Sequence, residues 1–394
     1  ELKIEDLTNM GLGVGRKSLK DGSNWVIMVP RVLPGESVKV QVSHNYKSYS
    51  EATLLEVLIP SPDRVVPLCP YFASCGGCQY QHMNITSQRK WKQSQVSTAI
   101  SKIAGLSNIN VNDTVGTEHE YNYRSKITPH FEQSSGTDAL RIVGFQQRNS
   151  RNIVDIKNCK VASEAINYKL AELRKELLSK SNNMPSEPLL LRESDGGRVV
   201  TDPLAEVTQT VGDIKFRFKA KEFFQNNPYV SELLVEHVVQ QACGDECTHL
   251  VDTFCGSGLF ALSAAQHFKS VHGVEISALS IEAAQHNAKA NKINNVKFVK
   301  GDANMIFAKL KKVPAGETVV VIDPPRRGCD ASFLKQLFAF KPRKLVYISC
   351  EPTTQARDAE RIVKEGYEVT NVTPFDMFPQ TRHIENVITF VSKN

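Results

Sequence analysis

From about residue 206 to the end of the chain, short apolar stretches alternate with segments whose apolar residues have helical spacing. Alternation of this kind is typical of a largely parallel sheet with helices on both faces, in which ligands bind beyond the carboxyl ends of the strands. The pattern therefore predicts a doubly wound, Rossmann-like α/β domain over residues 206–394. The predicted strands are residues 249–252, 270–275, 296–299, 318–323, 344–349 and 387–391.

The pattern differs in the first half of the chain. Residues 1–58 combine apolar–polar alternation with regularly spaced glycines, which predicts a small, OB-like β-barrel. Four prolines between residues 60 and 70 mark a boundary. Residues 59–205 then mix two predicted helices, at 86–103 and 161–180, with β character at 121–159. We therefore expect an α+β central domain, whose first helix packs on the C-terminal domain.

Composition narrows the function classes only slightly. The formal net charge of +6 permits a polyanionic partner without requiring one. Nine cysteines are an odd number and too sparse for a disulfide scaffold, so we expect a reducing, intracellular compartment. The sequence does not distinguish cytoplasm, nucleus and mitochondrion. Apolar runs fall short of the roughly 18 residues that a membrane helix needs, and we expect no membrane association.

A glycine-rich loop follows the first predicted strand of the α/β domain. Gly256 and Gly258 allow a sharp turn and a close approach of the backbone to a ligand. Glu275 ends the next strand, where a carboxylate can accept hydrogen bonds from ribose hydroxyls, and Asp302 follows the third strand. A tight turn without a ligand is the alternative. The short loop lacks a triphosphate-binding pattern, and it suits S-adenosylmethionine better than NAD.

The next strand ends in an Asp-Pro-Pro-Arg sequence, residues 323–326. Related ends with an aromatic at the fourth position belong to amino-directed methyltransferases, so Arg326 argues against methylation of an exocyclic amine. Asp323 ends the strand at the expected ligand-binding edge.

A thiol and an acid are predicted at the same cleft. Cys350 ends the following strand, where a thiolate could add to carbon 6 of uracil and make carbon 5 reactive towards a methyl donor. The carbon-5 proton must then leave, which requires a general base. Glu385, just before the last strand, is our candidate base, and His383 is the competing one. A buried cysteine at a strand end is more often inert; the glycine loop nearby favours catalysis here.

Three cysteines cluster in one loop, and a fourth lies some 80 residues further on. A set of four thiolates suits zinc or an iron–sulfur cluster, and the spacing does not decide between them. A group of reduced, metal-free thiols is the alternative. The four residues are Cys69, Cys75, Cys78 and Cys159.

Together these motifs resemble the RNA uracil-C5 methyltransferases, over essentially the whole chain. The resemblance implies that residues 1–58 form a TRAM RNA-binding module and that the four cysteines bind a [4Fe-4S] cluster rather than zinc. It implies that Phe223 stacks on the flipped target base and that Cys350 and Glu385 are the nucleophile and the base. The remaining cofactor contacts implied are Gln225, Phe254, Glu275, Asp302 and Asp323.

Two departures indicate a branch of this family. Bacterial members commonly have asparagine at the positions of Leu259 and Glu351. In this respect the chain resembles the fungal-type tRNA branch, which acts on uridine 54 of the T-loop. We therefore expect a monomeric tRNA methyltransferase. The alternatives are an rRNA uracil-C5 methyltransferase of the 23S type, a non-catalytic iron–sulfur RNA-binding protein, and a DNA cytosine-C5 methyltransferase. The last usually has Pro-Cys at the nucleophile, where this chain has Ser349-Cys350.

Overall fold

The computed structural model describes residues 1–20, 22–133, 141–179, 188–302, 307, 310 and 313–393. Three parts follow one another along the chain: a closed barrel, a central α+β part and a seven-stranded sheet flanked by helices. Among the described helices, none combines the length and the apolar character that crossing a bilayer requires.

The predicted N-terminal barrel is confirmed. Its strands close in the order β1-β2-β3-β5-β4, with β3 and β5 parallel and the other pairs antiparallel. The interior is narrow, because a Cβ on Gly13 would lie 2.2 Å from the Val32 side chain. The strands are β1 (Leu2–Leu7), β2 (Leu12–Ser18), β3 (Asn24–Pro30), β4 (Ser37–Asn45) and β5 (Tyr49–Ile59).

The central part contains both predicted helices. Helix α1 (Ile85–Lys102) begins at Asn84, whose side chain accepts a hydrogen bond from the Ser87 N–H. Helix α2 (Glu164–Ser179) begins three residues later than predicted, and residue 180 lies outside the described residues. The strands form two small sheets, β6 (Lys126–Ile127) with β10 (Leu191–Ser194) and β11 (Arg198–Val200), and β7 (His130–Gln133) with β8 (Arg141–Gln146) and β9 (Ile153–Asp155).

The C-terminal sheet confirms the predicted doubly wound domain. Its order is β16-β15-β14-β17-β18-β20-β19, parallel except for the antiparallel β20. Its strands are β14 (His249–Asp252), β15 (Ser270–Glu275), β16 (Val296–Lys300), β17 (Thr318–Ile322), β18 (Lys344–Ser349), β19 (Tyr367–Phe375) and β20 (Glu385–Ser392). The helices are α3 (Pro228–Ala242), α4 (Leu259–Ala264), α5 (Ala278–Ala290), α6 (Ala331–Phe340) and α7 (Pro352–Lys364).

Two elements of this half were not predicted. Strand β19 lies at the sheet edge, and a hairpin of β12 (Glu206–Val211) and β13 (Ile214–Lys219) precedes the sheet. The Asn287 side chain ties that hairpin to α5, because it accepts from the Arg217 N–H at 2.8 Å and donates to the Arg217 carbonyl at 3.1 Å.

Helix α1 packs on α7 and β19 rather than standing apart from the sheet. Val96 and Ile100 are buried in the same apolar core as Ile362 of α7 and Val372 of β19. The central part therefore contributes directly to the core beneath the carboxyl edge of the sheet.

Candidate active site

A cavity of about 780 Å³ opens at the carboxyl edge of the seven-stranded sheet. Parallel strands end at the same edge, so residues far apart in sequence meet there. The predicted site residues that line the cavity are Phe223, Gln225, Phe254, Gly256, Glu275, Asp302, Asp323, Cys350 and Glu385.

The glycine loop holds the carboxylate of Glu275 in place. The Gly256 N–H donates to one oxygen at 3.1 Å, and the Ser277 N–H donates to the other at 2.9 Å. Gly256 has φ of 50°, a left-handed conformation that favours glycine, and its missing side chain leaves open space. The carboxylate is thereby fixed at the end of β15, beside the cavity.

Gly258 differs from the prediction, since it is not part of the cavity lining. It has φ of 92° at the start of α4, and a Cβ there would lie 3.0 Å from Leu262 and 3.1 Å from Phe298. Tight packing and backbone conformation explain this glycine without a cofactor contact.

Asp252, which sequence reasoning did not single out, is fully buried at the end of β14. One carboxyl oxygen accepts from the Ala261 N–H at 3.2 Å, and the other lacks a partner among the described residues. Burial, followed by the charge of nearby Asp323, raises the pKa of Asp252 to about 8. This acid is therefore largely protonated at neutral pH.

Cys350 and Glu385 are brought together by strand pairing. Ser349 of β18 faces Asn386 of β20, so the residue after one strand adjoins the first residue of the other. Burial raises the pKa of the Cys350 thiol to about 11, and the charges of Glu385 and Asp323 add to this increase. The thiol is therefore protonated in the ligand-free site.

Arg326 is the positive charge in this group. Its guanidinium lowers the pKa of both Cys350 and Glu385, in opposition to the larger effect of burial. Burial raises the pKa of Asp323 to about 7. Glu385 is only 5% exposed, and its burial raises its pKa well above the ordinary range. Sequence reasoning considered Arg326 only because it stands where related strand ends have an aromatic residue. In the structure it lies close enough to Cys350 and Glu385 to act on both.

Aromatic rings and an arginine line the cavity near its mouth. Phe223 is 71% exposed, as a residue that stacks on an incoming base would be. Phe378 was not predicted; the Arg124 guanidinium lies 5.6 Å from the centre of its ring.

Burial and surrounding cations, first among them Arg382, lower the pKa of His383, the competing candidate base, to about 4.

The segment before β20 is anchored from outside the sheet. The Gln380 carbonyl accepts from the N–H groups of Gln79 and Tyr80, both at 3.0 Å. The Tyr123 hydroxyl donates to the Pro379 carbonyl at 2.9 Å, and the buried Lys92 ammonium lies 2.5 Å from an Asp376 carboxyl oxygen. The cysteine loop and α1 therefore position the chain that leads to Glu385.

The four predicted cysteine ligands line one cavity of about 340 Å³, which shares Arg124 and His383 with the larger one. Burial, with the neighbouring thiols, raises the pKa of Cys78 to about 12. Within the described parts of the chain, no three metal-ligating side chains converge as a single ion would require. The thiols thus share a cavity without forming a compact mononuclear site.

Comparisons with known proteins agree with this arrangement. The chain is 39% identical to the tRNA (uracil(54)-C(5))-methyltransferase of Schizosaccharomyces pombe, over 99% of this chain and 77% of that protein. It is 31% identical to an uncharacterized RNA methyltransferase of Halalkalibacterium halodurans, over 100% of this chain and 97% of that protein. The crystal structure of Pyrococcus abyssi tRNA (uracil-54, C5)-methyltransferase in complex with S-adenosyl-L-homocysteine has the same fold, with a TM-score of 0.74, 23% identity and 99% of each chain covered.

The family model for tRNA (uracil-5-)-methyltransferases matches residues 194–393, which span the cavity and most of its lining. Relatives over the full length of the chain bear methyltransferase names, so neither the non-catalytic alternative nor the DNA-directed one is retained. This chain belongs to the tRNA (uracil-5-)-methyltransferase family, and it is an enzyme that methylates carbon 5 of uracil in RNA.

Proposed function

We propose that this enzyme transfers the methyl group of S-adenosylmethionine to carbon 5 of uridine 54 in tRNA. The observation that carries the proposal is the adjacency of Cys350 and Glu385 on the cavity that also contains the glycine loop and Glu275. The substrate named for the S. pombe relative, at 39% identity, supports tRNA and this position.

The cavity has a donor set that fits S-adenosylmethionine. The fixed carboxylate of Glu275 suits ribose hydroxyls, and Phe254 offers an apolar surface for adenine. Asp302 and Asp323 add carboxyl groups to the wall, which suits a cationic ligand. We assign Gln225 and Gly256 to the same binding surface. When bound, S-adenosylmethionine supplies an electrophilic methyl group on a positively charged sulfur.

The first chemical role falls to Cys350. Its thiol gives its proton to solvent, the resulting thiolate adds to carbon 6 of uracil, and the displaced electron pair of the C5–C6 double bond makes carbon 5 nucleophilic. A thiol with a pKa of about 11 needs help to ionise, and Arg326 is the neighbouring charge that favours the thiolate. We assign Phe223, exposed at the cavity mouth, to stacking on the flipped base.

The second role falls to Glu385. Once carbon 5 carries the methyl group, the carboxylate accepts the remaining carbon-5 proton, the C–H electron pair restores the C5–C6 double bond, and the thiolate leaves carbon 6. Glu385 must be ionised for this step, which Arg326 favours and burial opposes. The register of β18 and β20, in which Glu385 adjoins Cys350, supports Glu385 over His383 as the base.

We also propose that the four cysteines hold a [4Fe-4S] cluster. They line one cavity, and a cluster, being larger than a single ion, needs ligands that stand further apart than zinc does. Anaerobically purified protein should contain about four iron and four sulfide per chain and absorb visible light. Colourless protein with stoichiometric zinc would overturn this proposal.

Covalent trapping tests the catalytic assignment. Fluorine at carbon 5 cannot leave as a proton does, so tRNA containing 5-fluorouridine should form an adduct with the wild-type enzyme that survives denaturation. Cys350→Ala should form none, whereas Cys247→Ala, outside the cavity lining, should form it normally. Normal methylation by Cys350→Ala would eliminate the nucleophile role.

Mapping of 5-methyluridine tests the substrate. A tRNA transcript should be methylated at position 54, and a transcript with cytidine at that position should not. Methylation of an rRNA fragment in preference to tRNA would replace the substrate proposed here with the rRNA alternative.

A further inference from the structure

Three arginines from distant parts of the chain meet around the cysteine loop. The Arg31 guanidinium, just after β3, donates to the Ala73 carbonyl at 3.1 Å. The backbone N–H of Arg148, just after β8, donates to the Ser74 carbonyl at 3.4 Å, and the backbone N–H of Arg382 donates to the Gln79 side-chain oxygen at 3.1 Å. Contacts with residues 73–79 thus bring Arg31, Arg148 and Arg382 together, and the charges of Arg31 and Arg382 both act on Arg148.

These charges are poorly compensated within the protein. Burial lowers the pKa of Arg148, and the positive charges of Arg31 and Arg382 contribute to that shift. Glu51 is the carboxylate that acts against it. Among the described residues, neither the Arg148 nor the Arg382 side chain has a hydrogen bond or an ion pair. Neighbouring like charges repel, and a bound polyanion would remove that cost.

The arginine cluster, defined as Arg31, Arg148 and Arg382, reaches the reaction centre at one end. Arg382 and Cys350 line the same small crevice, together with Asn9 of the barrel and Ile384. An anion bound by the cluster would therefore lie on the approach to the nucleophile.

At its other end the cluster adjoins exposed aromatic rings on the barrel. Glu51, the carboxylate that acts on Arg148, pairs with His44 across strands β4 and β5. Tyr46, 41% exposed, stacks on Tyr49 with ring centres 4.6 Å apart, and His44 lies 4.4 Å from it. Exposed rings beside cations are the combination that binds unpaired nucleotides, through stacking and phosphate contacts.

We propose that the arginine cluster is a phosphate-binding site for the RNA strand that presents the target uridine. Guanidinium groups bind phosphate oxygens through paired hydrogen bonds, which fixes the position of the strand as well as its affinity. The cluster would hold the backbone between the barrel and the catalytic cavity. This inference rests on the proposed function, because it takes the substrate to be RNA approaching Cys350.

Salt dependence of tRNA binding tests the site, because each lost phosphate contact lowers the number of counterions released. The test variant is Arg148→Gln with Arg382→Gln. At about 0.15 M salt its affinity for tRNA should fall about 20-fold, and the slope of log K against log salt should decrease in magnitude by about 1.4 to 1.8. Replacing both arginines with lysine should preserve most of the slope, since the charges remain.

Arg217→Gln is the matched control, because that arginine is paired with Glu206 on the β12–β13 hairpin. Its slope should equal that of the wild type. Affinity for S-adenosylmethionine and the melting temperature should be unchanged in every variant; if the double variant melts early, the single Arg148→Gln variant should still lower the slope by about 0.7 to 0.9.

The outcomes separate the two proposals. If the wild type forms 5-methyluridine and the glutamine variants keep the wild-type slope, the phosphate site is wrong and the proposed function stands. If the variants lose slope while the wild type forms 5-methyluridine only at positions other than uridine 54 of tRNA, the phosphate site stands and the proposed function is wrong.

Discussion

Cys350 and Glu385 are neighbours because β18 and β20 pair antiparallel, with Ser349 opposite Asn386. A parallel last strand would begin at the opposite edge of the sheet and carry its first residue away from the cavity. The reversed strand of this sheet therefore has a direct chemical consequence: it places an acid beside a thiol without a long connecting loop.

Alkylation of Cys350 should report its high pKa. Since the thiolate is the reacting form and the pKa is raised to about 11, the iodoacetamide reaction rate at Cys350 should increase about tenfold per pH unit between about pH 7 and 9. Arg326→Gln should lower the rate about 3- to 10-fold at each pH, because it removes the charge that favours the thiolate. Mass spectrometry resolves Cys350 from the other cysteines, and a plateau below about pH 8.5 would contradict the expectation.

The ligand-free protein should lose stability as the pH rises from about 4 to 8. Asp252 keeps its proton up to about pH 8 when folded and releases it near pH 4 when unfolded, so the folded state binds more protons across that range. Asp252→Asn should flatten the fall in melting temperature between pH 6 and 8, to be measured by calorimetry. Asp213→Asn, on the hairpin turn, is the control, and an unchanged pH profile in Asp252→Asn would count against the buried acid.

Removal of Lys92 should destabilise the protein strongly. Its ammonium lies 2.5 Å from an Asp376 carboxyl oxygen, with both side chains fully buried. Lys92→Met leaves that buried carboxylate with only the longer contact to Arg89, at 3.5 Å. We expect the free energy of unfolding in urea to fall by about 3–5 kcal/mol. Combining Lys92→Met with Asp376→Leu should recover much of this loss; if the double variant is as unstable as the single one, packing rather than charge explains the effect.

The two loop glycines should respond differently to alanine. Gly256→Ala, where a Cβ meets open space on the cavity side, should weaken S-adenosylmethionine binding about tenfold or more and cost about 1–2 kcal/mol of stability for its left-handed backbone. Gly258→Ala adds close contacts with Leu262 and Phe298 to the same strain, so it should change S-adenosylmethionine affinity little and cost more stability, about 2–4 kcal/mol. Calorimetric titration and urea unfolding of both variants measure the two effects, and a reversal of this pattern would disprove the assignment.

Much of the sheet could be predicted because parallel strands buried on both faces are continuous apolar runs. Strand β18 has the predicted bounds for that reason, and β17 ends one residue before its predicted end. Strand β19 was missed: at the sheet edge it carries polar residues at alternate positions and includes Pro374, which resembles a loop. Hydrophobic periodicity reveals a strand that is buried on both faces more readily than a strand at the edge of a sheet.

Some of the candidate site residues could likewise be predicted from the sequence, and others could not. Cys350 ends a predicted strand, so the strand pattern predicted its place at the cleft. Glu385 was a candidate by residue type and by the family resemblance, because the antiparallel direction of the last strand, which brings it to the same cleft, was not predicted. The contribution of Arg326 depends on its proximity to a thiol on a different strand, and the arginine cluster joins three separate parts of the chain. No spacing within the sequence encodes these contacts; only the tertiary fold creates them.

The burial of α1 against α7 and β19 bears on what constitutes a minimal enzyme. Val96 and Ile100 share a core with Ile362 and Val372, so a fragment beginning at residue 206 would expose apolar surface that the intact chain covers. Such a fragment would retain Cys350 and the glycine loop, yet we expect it to aggregate instead of binding S-adenosylmethionine. Catalytic competence is therefore a property of the joined halves, and excision of the α/β half alone would not preserve it.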